Sequence, residues 1–303
     1  MTYSIVALDP DTGELGVAVQ SRWFSVGSVV PWLEPGVGAV ATQSFVEVAH
    51  GYNGLRLLRE GHSPEEALAE LLRDDENAAM RQLGIVDAQG RSAAHTGSGC
   101  IRYASHLTAH GVSAQANIME RSTVPGAMLE AFGSADGDLA DRLLAALLAA
   151  EGVGGDVRGR QSAALVLVPG PDADGTPPKP WARTFDLHVE DHPAPLEELG
   201  RVLRIARAYL AFDEAETAYL KGDLDAALEA RKRTLAFAPD DDQVVLWSAV
   251  TLAATGHPEE AREALARASA VEPRSAEHLR RFAEGGQLHG GEATLRVLGI
   301  EPA

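Results

Sequence analysis

Thr2 is the residue whose type and position carry the most specific chemistry in this chain. An initiator methionine is ordinarily trimmed when the next residue is small, and removal of Met1 would put a hydroxyl and a free α-amine on one residue. An α-amine titrates near ~7.7–8.0, so at neutral pH a useful fraction serves as base for that residue's own hydroxyl. A strand starting there would hold the nucleophile on a rigid element. A second cluster is Gly155-Asp156-Val157-Arg158-Gly159-Arg160-Gln161-Ser162. Its glycines let backbone approach a ligand, and Arg158 suits a carboxylate bidentately, with Gln161 beside it. Asp156 would either orient the Thr2 amine or fix Arg158, and a turn braced by an Asp–Arg pair is the plainer reading. Ser21, Gln43, Ser44 and Asn117 fall at expected strand ends as donors to a substrate oxyanion, although such residues more often cap turns.

Two further motifs weigh less. Thr96-Gly97-Ser98-Gly99-Cys100 suits an oxyanion nest or a Cys100 nucleophile near His95, but reads more simply as a tight loop with a structural cysteine. His188 and His192 would share a face only on a helix. In the strand that this segment predicts they lie about 13 Å apart, so neither a metal nor a cofactor is expected.

The elements that must position these residues follow from periodicity. Apolar runs and turn residues predict strands at Ser4–Leu8, Leu15–Ser21, Gly27–Leu33 and Val37–Gln43. Helices follow at Ala49–Glu60 and from Ser63, where Pro64 and Glu66 complete a capping box. Strands return at Gln82–Asp87 and Ser92–Thr96, Val112–Ile118 is a strand or an ordered loop, helices follow at Pro125–Phe132 and Leu139–Ala150, and strands at Ser162–Val168 and Arg183–Val189. A helix over Glu197–Tyr209 leaves the domain. This order permits an α+β fold with two packed sheets and outer helix layers.

The remaining ninety-odd residues have another period. Gly222 and Gly256, Ala227 and Ala261, Ala230 and Ala264, and Pro239 and Pro273 are each 34 residues apart. That is the tetratricopeptide period, with units at Leu210–Ala238 and Val244–Val271. Two domains are expected, 1–207 and a small all-helical 208–303.

Several blocks resemble the family catalogued as domain of unknown function 1028. They are Thr2-Tyr3-Ser4-Ile5-Val6-Ala7, the hairpin through Gly13-Glu14-Leu15-Gly16-Val17-Ala18-Val19, and Val26-Gly27-Ser28-Val29-Val30-Pro31. Gly38-Ala39-Val40-Ala41-Thr42-Gln43, Gly154 to Ala164, and Val189-Glu190-Asp191-His192 add to them, so that the blocks cover most of residues 2–205. The resemblance implies a four-layer αββα sandwich of the Ntn-hydrolase type, similar to proteasome subunits, and no established reaction. Proteasome-type sites pair the threonine with a lysine shortly downstream. Here Lys occurs only at 179, 221 and 232, and the nearest cation, Arg22, stays protonated.

A net charge of -18 argues against nucleic acid and anionic membrane as partners. Cys100 alone forms no internal disulfide, and no signal peptide or membrane span is evident, so a cytoplasmic location is expected. The expectation is an amidohydrolase acting on a small amide-containing substrate, with repeats for self-association or a peptide partner. The alternative is a ligand- or protein-binding module that keeps the sandwich without the chemistry, and hydrolysis by water activated by Asp156 or a histidine is a third option. Intact mass should show the chain without Met1. Full retention of Met1 in active protein would eliminate the Thr2 mechanism.

Overall fold

The computed structural model describes residues 2–302. The chain divides into two compact units, Met1–Gly200 and Arg201–Ala303. The first is built on two antiparallel sheets. Strands β1 (Thr2–Leu8), β2 (Leu15–Ser21), β7 (Ser105–Ala109), β8 (Val112–Ala116), β9 (Ser162–Val168) and β10 (Phe185–Val189) form a six-stranded sheet in the order β10-β9-β2-β1-β8-β7. Strands β3 (Pro31–Glu34), β4 (Gly38–Ser44), β5 (Arg81–Asp87) and β6 (Ser92–Thr96) form a four-stranded one in the order β3-β4-β5-β6.

Strand alternation decides what each face meets. On β1 and β2, Val6, Leu8, Leu15, Val17 and Val19 share a core with Ala39, Ala41 and Val86 of the smaller sheet. The intervening residues face away from that core. Gly16 lies so close to helix α4 (Leu139–Gly152) that a Cβ there would fall 2.5 Å from Leu143 Cδ1. Helix α3 (Val124–Ser134) packs beside α4 and against β8. Val40, Leu83 and Ile85 of the smaller sheet instead meet Leu55 and Leu58 of helix α1 (Val48–Arg59) and Leu68 of α2 (Pro64–Arg73). The Ser63–Glu66 capping box forms at the start of α2 as its sequence requires.

Three local expectations are corrected. Gly27–Leu33 does not form one strand: Val26–Ser28 is a single 3-10 turn, and the strand begins at Pro31. Gly27 has no room for a side chain against Ala164 and His188, and the Val26 N–H donates to the Ser162 hydroxyl. Strand β7 was not anticipated because its residues are exposed or half-buried, so an edge strand carries no clear alternation. The helix expected to end at Tyr209 runs on as α5 (Pro195–Leu220), since no Gly or Pro follows Gly200 until Gly222.

In the second unit, α6 (Leu224–Phe237), α7 (Asp242–Ala254), α8 (Pro258–Val271), α9 (Ser275–Glu284) and α10 (Gly291–Leu298) continue the helical array. Gly222 and Gly256 take φ of 79° and 86°, the left-handed conformation that glycine adopts without steric cost, so the 34-residue period marks equivalent turns. Leu246, Val250, Ala261, Leu265, Leu279 and Leu295 fill the core. No helix among the described residues is long and apolar enough to cross a membrane.

Where the sheets meet, the missing side chain of Gly84 makes room for Gln115, whose Oε1 would lie 2.2 Å from an added Cβ. Gly84→Ala is therefore expected to cost about 1–3 kcal/mol, the range for overpacking, read as a lower urea midpoint at unchanged slope. An unchanged midpoint would show that the sheets tolerate separation there.

Candidate functional site at the start of the first strand

Thr2 opens β1 opposite Ser21 of β2, and its backbone is held on both sides. Its N–H donates to the Asn117 carbonyl at 3.3 Å, and its carbonyl accepts from Asn117 N at 3.0 Å. The same carbonyl accepts from Gln43 Nε2 at 3.3 Å and Asn117 Nδ2 at 3.4 Å. The Thr2 Oγ1 donates to Ser21 Oγ at 3.1 Å, and Ser21 is fully buried.

Gln43 and Asn117 belong to a buried amide network that joins the two sheets. Gln43 Nε2 and Asn117 Nδ2 both donate to Gln82 Oε1, at 2.8 and 2.7 Å. Gln82 Nε2 donates to Thr96 Oγ1 at 2.8 Å and to the Ala116 carbonyl at 2.9 Å. Ser4 Oγ donates to Gln43 Oε1 at 2.7 Å and accepts from Gln115 Nε2 at 2.7 Å. Buried amides without partners cost about 1–3 kcal/mol each, so these side chains lock one another and the Thr2 carbonyl. Sequence reasoning singled out Gln43 and Asn117 but missed Gln82, Gln115 and Ser4. Polar residues alternating with Val and Ala along Val112–Ala116 were the available signal, since an inner face of Ser113 and Gln115 needs partners across a sheet.

Asp156 is buried at the same end of β1 and β2. Its Oδ1 accepts from Arg158 N at 2.9 Å and Nε at 3.1 Å. Its Oδ2 accepts from Arg158 Nη2 at 2.7 Å and from the N–H of Arg22, the residue after Thr2's cross-strand partner, at 3.2 Å. The guanidinium of Arg158 thus grips Asp156. Met119 bridges to Asp156, and Val157 N–H donates to the Ile118 carbonyl, so this loop continues the β8 edge beyond Asn117. Gln161 lies just before β9, where its carbonyl accepts from His192 N at 2.7 Å.

A cavity of ≈ 500 Å³ opens beside Thr2. Its walls among the described residues are Trp23, Val26, Val29, Val30, Phe45, Val46 and Val48, with the hydroxyl residues Thr2 and Ser44, and none of these is charged. Of the residues singled out from sequence, Thr2 and Ser44 line this space, and Ser21, Gln43, Asn117 and Asp156 do not. Trp23 and Phe45 are more than half exposed at its mouth. Ser25, Ser44 and Ile118 have φ of 53°, 70° and 55°, and they are the non-glycine residues with positive φ among those described. All three flank this site. Left-handed backbone at such residues, above all at β-branched Ile118, is strained and gathers where surrounding structure over-determines it.

On the other face of β1, Tyr3 OH donates to Glu151 Oε2 at 2.7 Å, and Arg160 Nε reaches Glu151 Oε1 at 2.8 Å. Burial first, then the Glu151 charge, pushes the phenol well above its ordinary value. The side chains of the weaker motifs have local partners. Cys100 Sγ donates to the Arg81 carbonyl, while His95 Nε2 pairs with the Ala78 carbonyl. His188 pairs with Asp186, whereas His192 Nδ1 accepts from Ala194 N.

Comparison with known families matches residues 2–199 to the Family of unknown function (DUF1028) and residues 218–281 to a tetratricopeptide repeat model. A crystal structure of a protein from Silicibacter pomeroyi, assigned to the same family model, aligns with a TM-score of 0.60 and 34% identity. The alignment covers 67% of this chain and 84% of that one. No relative is matched among curated proteins.

The Tyr3–Glu151 contact makes the alkaline limit testable. A phenol whose folded pKa is raised contributes stability that is complete below its unfolded value, near 10.0, and is lost as pH rises beyond it. Urea midpoints of the wild type should fall from about pH 9.5 upward, and Tyr3→Phe should flatten that fall. Parallel curves would remove Tyr3 as the cause.

Proposed function

The chain belongs to the DUF1028 family over residues 2–199, and we propose that this unit is an αββα sandwich of the N-terminal nucleophile type that hydrolyses an amide. Thr2 is the nucleophile, exposed by removal of Met1. The observation that carries the reading is the placement of Thr2: rigid backbone at a strand start, hydroxyl on Ser21, and an open cavity beside it. The α-amine takes the Oγ1 proton as Oγ1 bonds to the substrate carbonyl carbon. Collapse of the tetrahedral adduct breaks the C–N bond, and the same proton leaves on the amine product. Water then attacks the Thr2 ester, returns the hydroxyl and releases the acid.

The other residues act around that centre. Gln43 and Asn117 hold the Thr2 carbonyl, so their contribution is to position the nucleophile. Ser21 holds Oγ1 by accepting its hydrogen bond. Asp156, gripped by Arg158, supplies negative charge at this strand end to orient the ammonium form of the amine. Arg158 and Gln161 then serve the loop that carries Asp156. Hydrolysis needs no cofactor here. The helical repeats are assigned to self-association or to a peptide partner, and the single cysteine fits a cytoplasmic location.

The absence of lysine before position 179 favours one rival, a binding protein that keeps the sandwich without turnover. Screening small amides with wild type, Thr2→Ser and Thr2→Ala separates the two. The expected result is activity in wild type, residual activity in Thr2→Ser, and a loss of at least ~10³-fold in Thr2→Ala. Equal turnover by wild type and Thr2→Ala would end the nucleophile assignment.

A further inference from the structure

The cavity beside Thr2 sets a limit on what the reacting group can be attached to. Its walls offer side chains of Trp23, Val26, Val29, Val30 and Phe45, and among the described residues no ionisable side chain lines it; the titratable group that the mechanism places there is the Thr2 α-amine, which is neutral when it acts as base. Moving an ionised carboxylate or ammonium into such walls costs several kcal/mol unless a partner is present. Of the cations next to the lining residues or to the Asp156 loop, Arg158 pairs with Asp156, Arg81 pairs with Asp75, and Arg22 Nη1 donates to the Arg160 carbonyl at 2.8 Å. The two hydroxyl residues of the lining, Thr2 and Ser44, mark where a polar group is received. Ser44 is also one of the strained left-handed residues, fixed at the end of β4.

We propose that the substrate is an amide whose carbonyl is held by Thr2 and Ser44 and whose acyl substituent, an uncharged alkyl chain or single aromatic ring, fills this cavity. The proposal rests on Thr2 as the reacting residue. It replaces a carboxylate anchored by Arg158 with apolar recognition. A volume of ≈ 500 Å³ suits a medium-length chain or one ring with the adjoining amide, within the range of small-molecule sites. The exposed indole of Trp23 and ring of Phe45 at the mouth extend the apolar path outward.

The test uses the full chain and two probes of equal heavy-atom number, N-methylhexanamide and N-methylsuccinamate, whose acyl groups end in an alkyl chain and in a carboxylate. Binding is measured by calorimetry to Thr2→Ala, so that it does not depend on turnover, and hydrolysis is measured with wild type. Hexanamide should bind at least tenfold more tightly than succinamate. Val30→Trp, which fills the cavity, and Val46→Asp, which charges its half-exposed rim without disturbing the core, should each abolish that preference. Equal binding of both probes, tighter binding of succinamate, or no binding of either would overturn the apolar assignment. Hydrolysis of succinamate in preference to hexanamide would also overturn it while leaving Thr2 as nucleophile. Selective binding of hexanamide without hydrolysis by wild type would uphold the apolar site and count against the catalytic reading instead.

Discussion

Four buried amide side chains, Gln43, Gln82, Gln115 and Asn117, share hydrogen bonds with one another, with Ser4 and with backbone between the two sheets, and this network fixes where Thr2 sits. Gln82 joins Gln43 to Asn117, and both of these donate to the Thr2 carbonyl. None of the four can move alone without leaving a buried donor or acceptor unpaired, at about 1–3 kcal/mol each. Gly84 contributes by having no side chain where Gln115 needs space. The backbone of the first residue of β1 is thereby held as firmly as the middle of a strand, whereas chain ends ordinarily fray.

Rigidity on one side is matched by open space on the other. The same strand ends that carry the amide network stop short at Ser44 and Ser21, and the chain then turns through Phe45–Val48 and Trp23–Val30 around the cavity. Those turns require left-handed backbone at Ser25 and Ser44, and the Asp156 loop requires it at Ile118. Strain therefore collects around one residue, Thr2, in a molecule that elsewhere places glycine at such φ values. An ordinary core would not need this concentration, and a preorganised reacting group would.

The sequence made the regular parts of this arrangement legible. Alternation and capping located β1, β2, β9, α1, α2 and α4 to within a few residues, because each buries one face completely and carries its own start or stop signal. Gly222 and Gly256 marked the repeat turns because left-handed turns select glycine. The edge strand β7 and the 3-10 turn at Val26 were not legible, since both depend on neighbours distant in sequence. The cavity was hidden for the same reason. Val26, Val29, Val30, Phe45 and Val46 read individually as core or turn residues, and they become a wall only when β2, β4 and the Ser162 hydroxyl bring their loops together. Arg158 shows the converse. Its residue type suggested a substrate carboxylate, yet an aspartate two residues away takes its guanidinium.

The proposed catalysis requires Thr2 Oγ1 to be a nucleophile at an apolar cavity. The most direct measurement is peptide mapping by mass spectrometry after treating the full protein with an alkyl-substituted β-lactone. Such a ring opens on an activated hydroxyl and leaves its whole mass as an ester. The predicted result is a single adduct on a mature N-terminal peptide that begins with Thr2. An unmodified N-terminal Thr2, or an adduct confined to other residues, would contradict it.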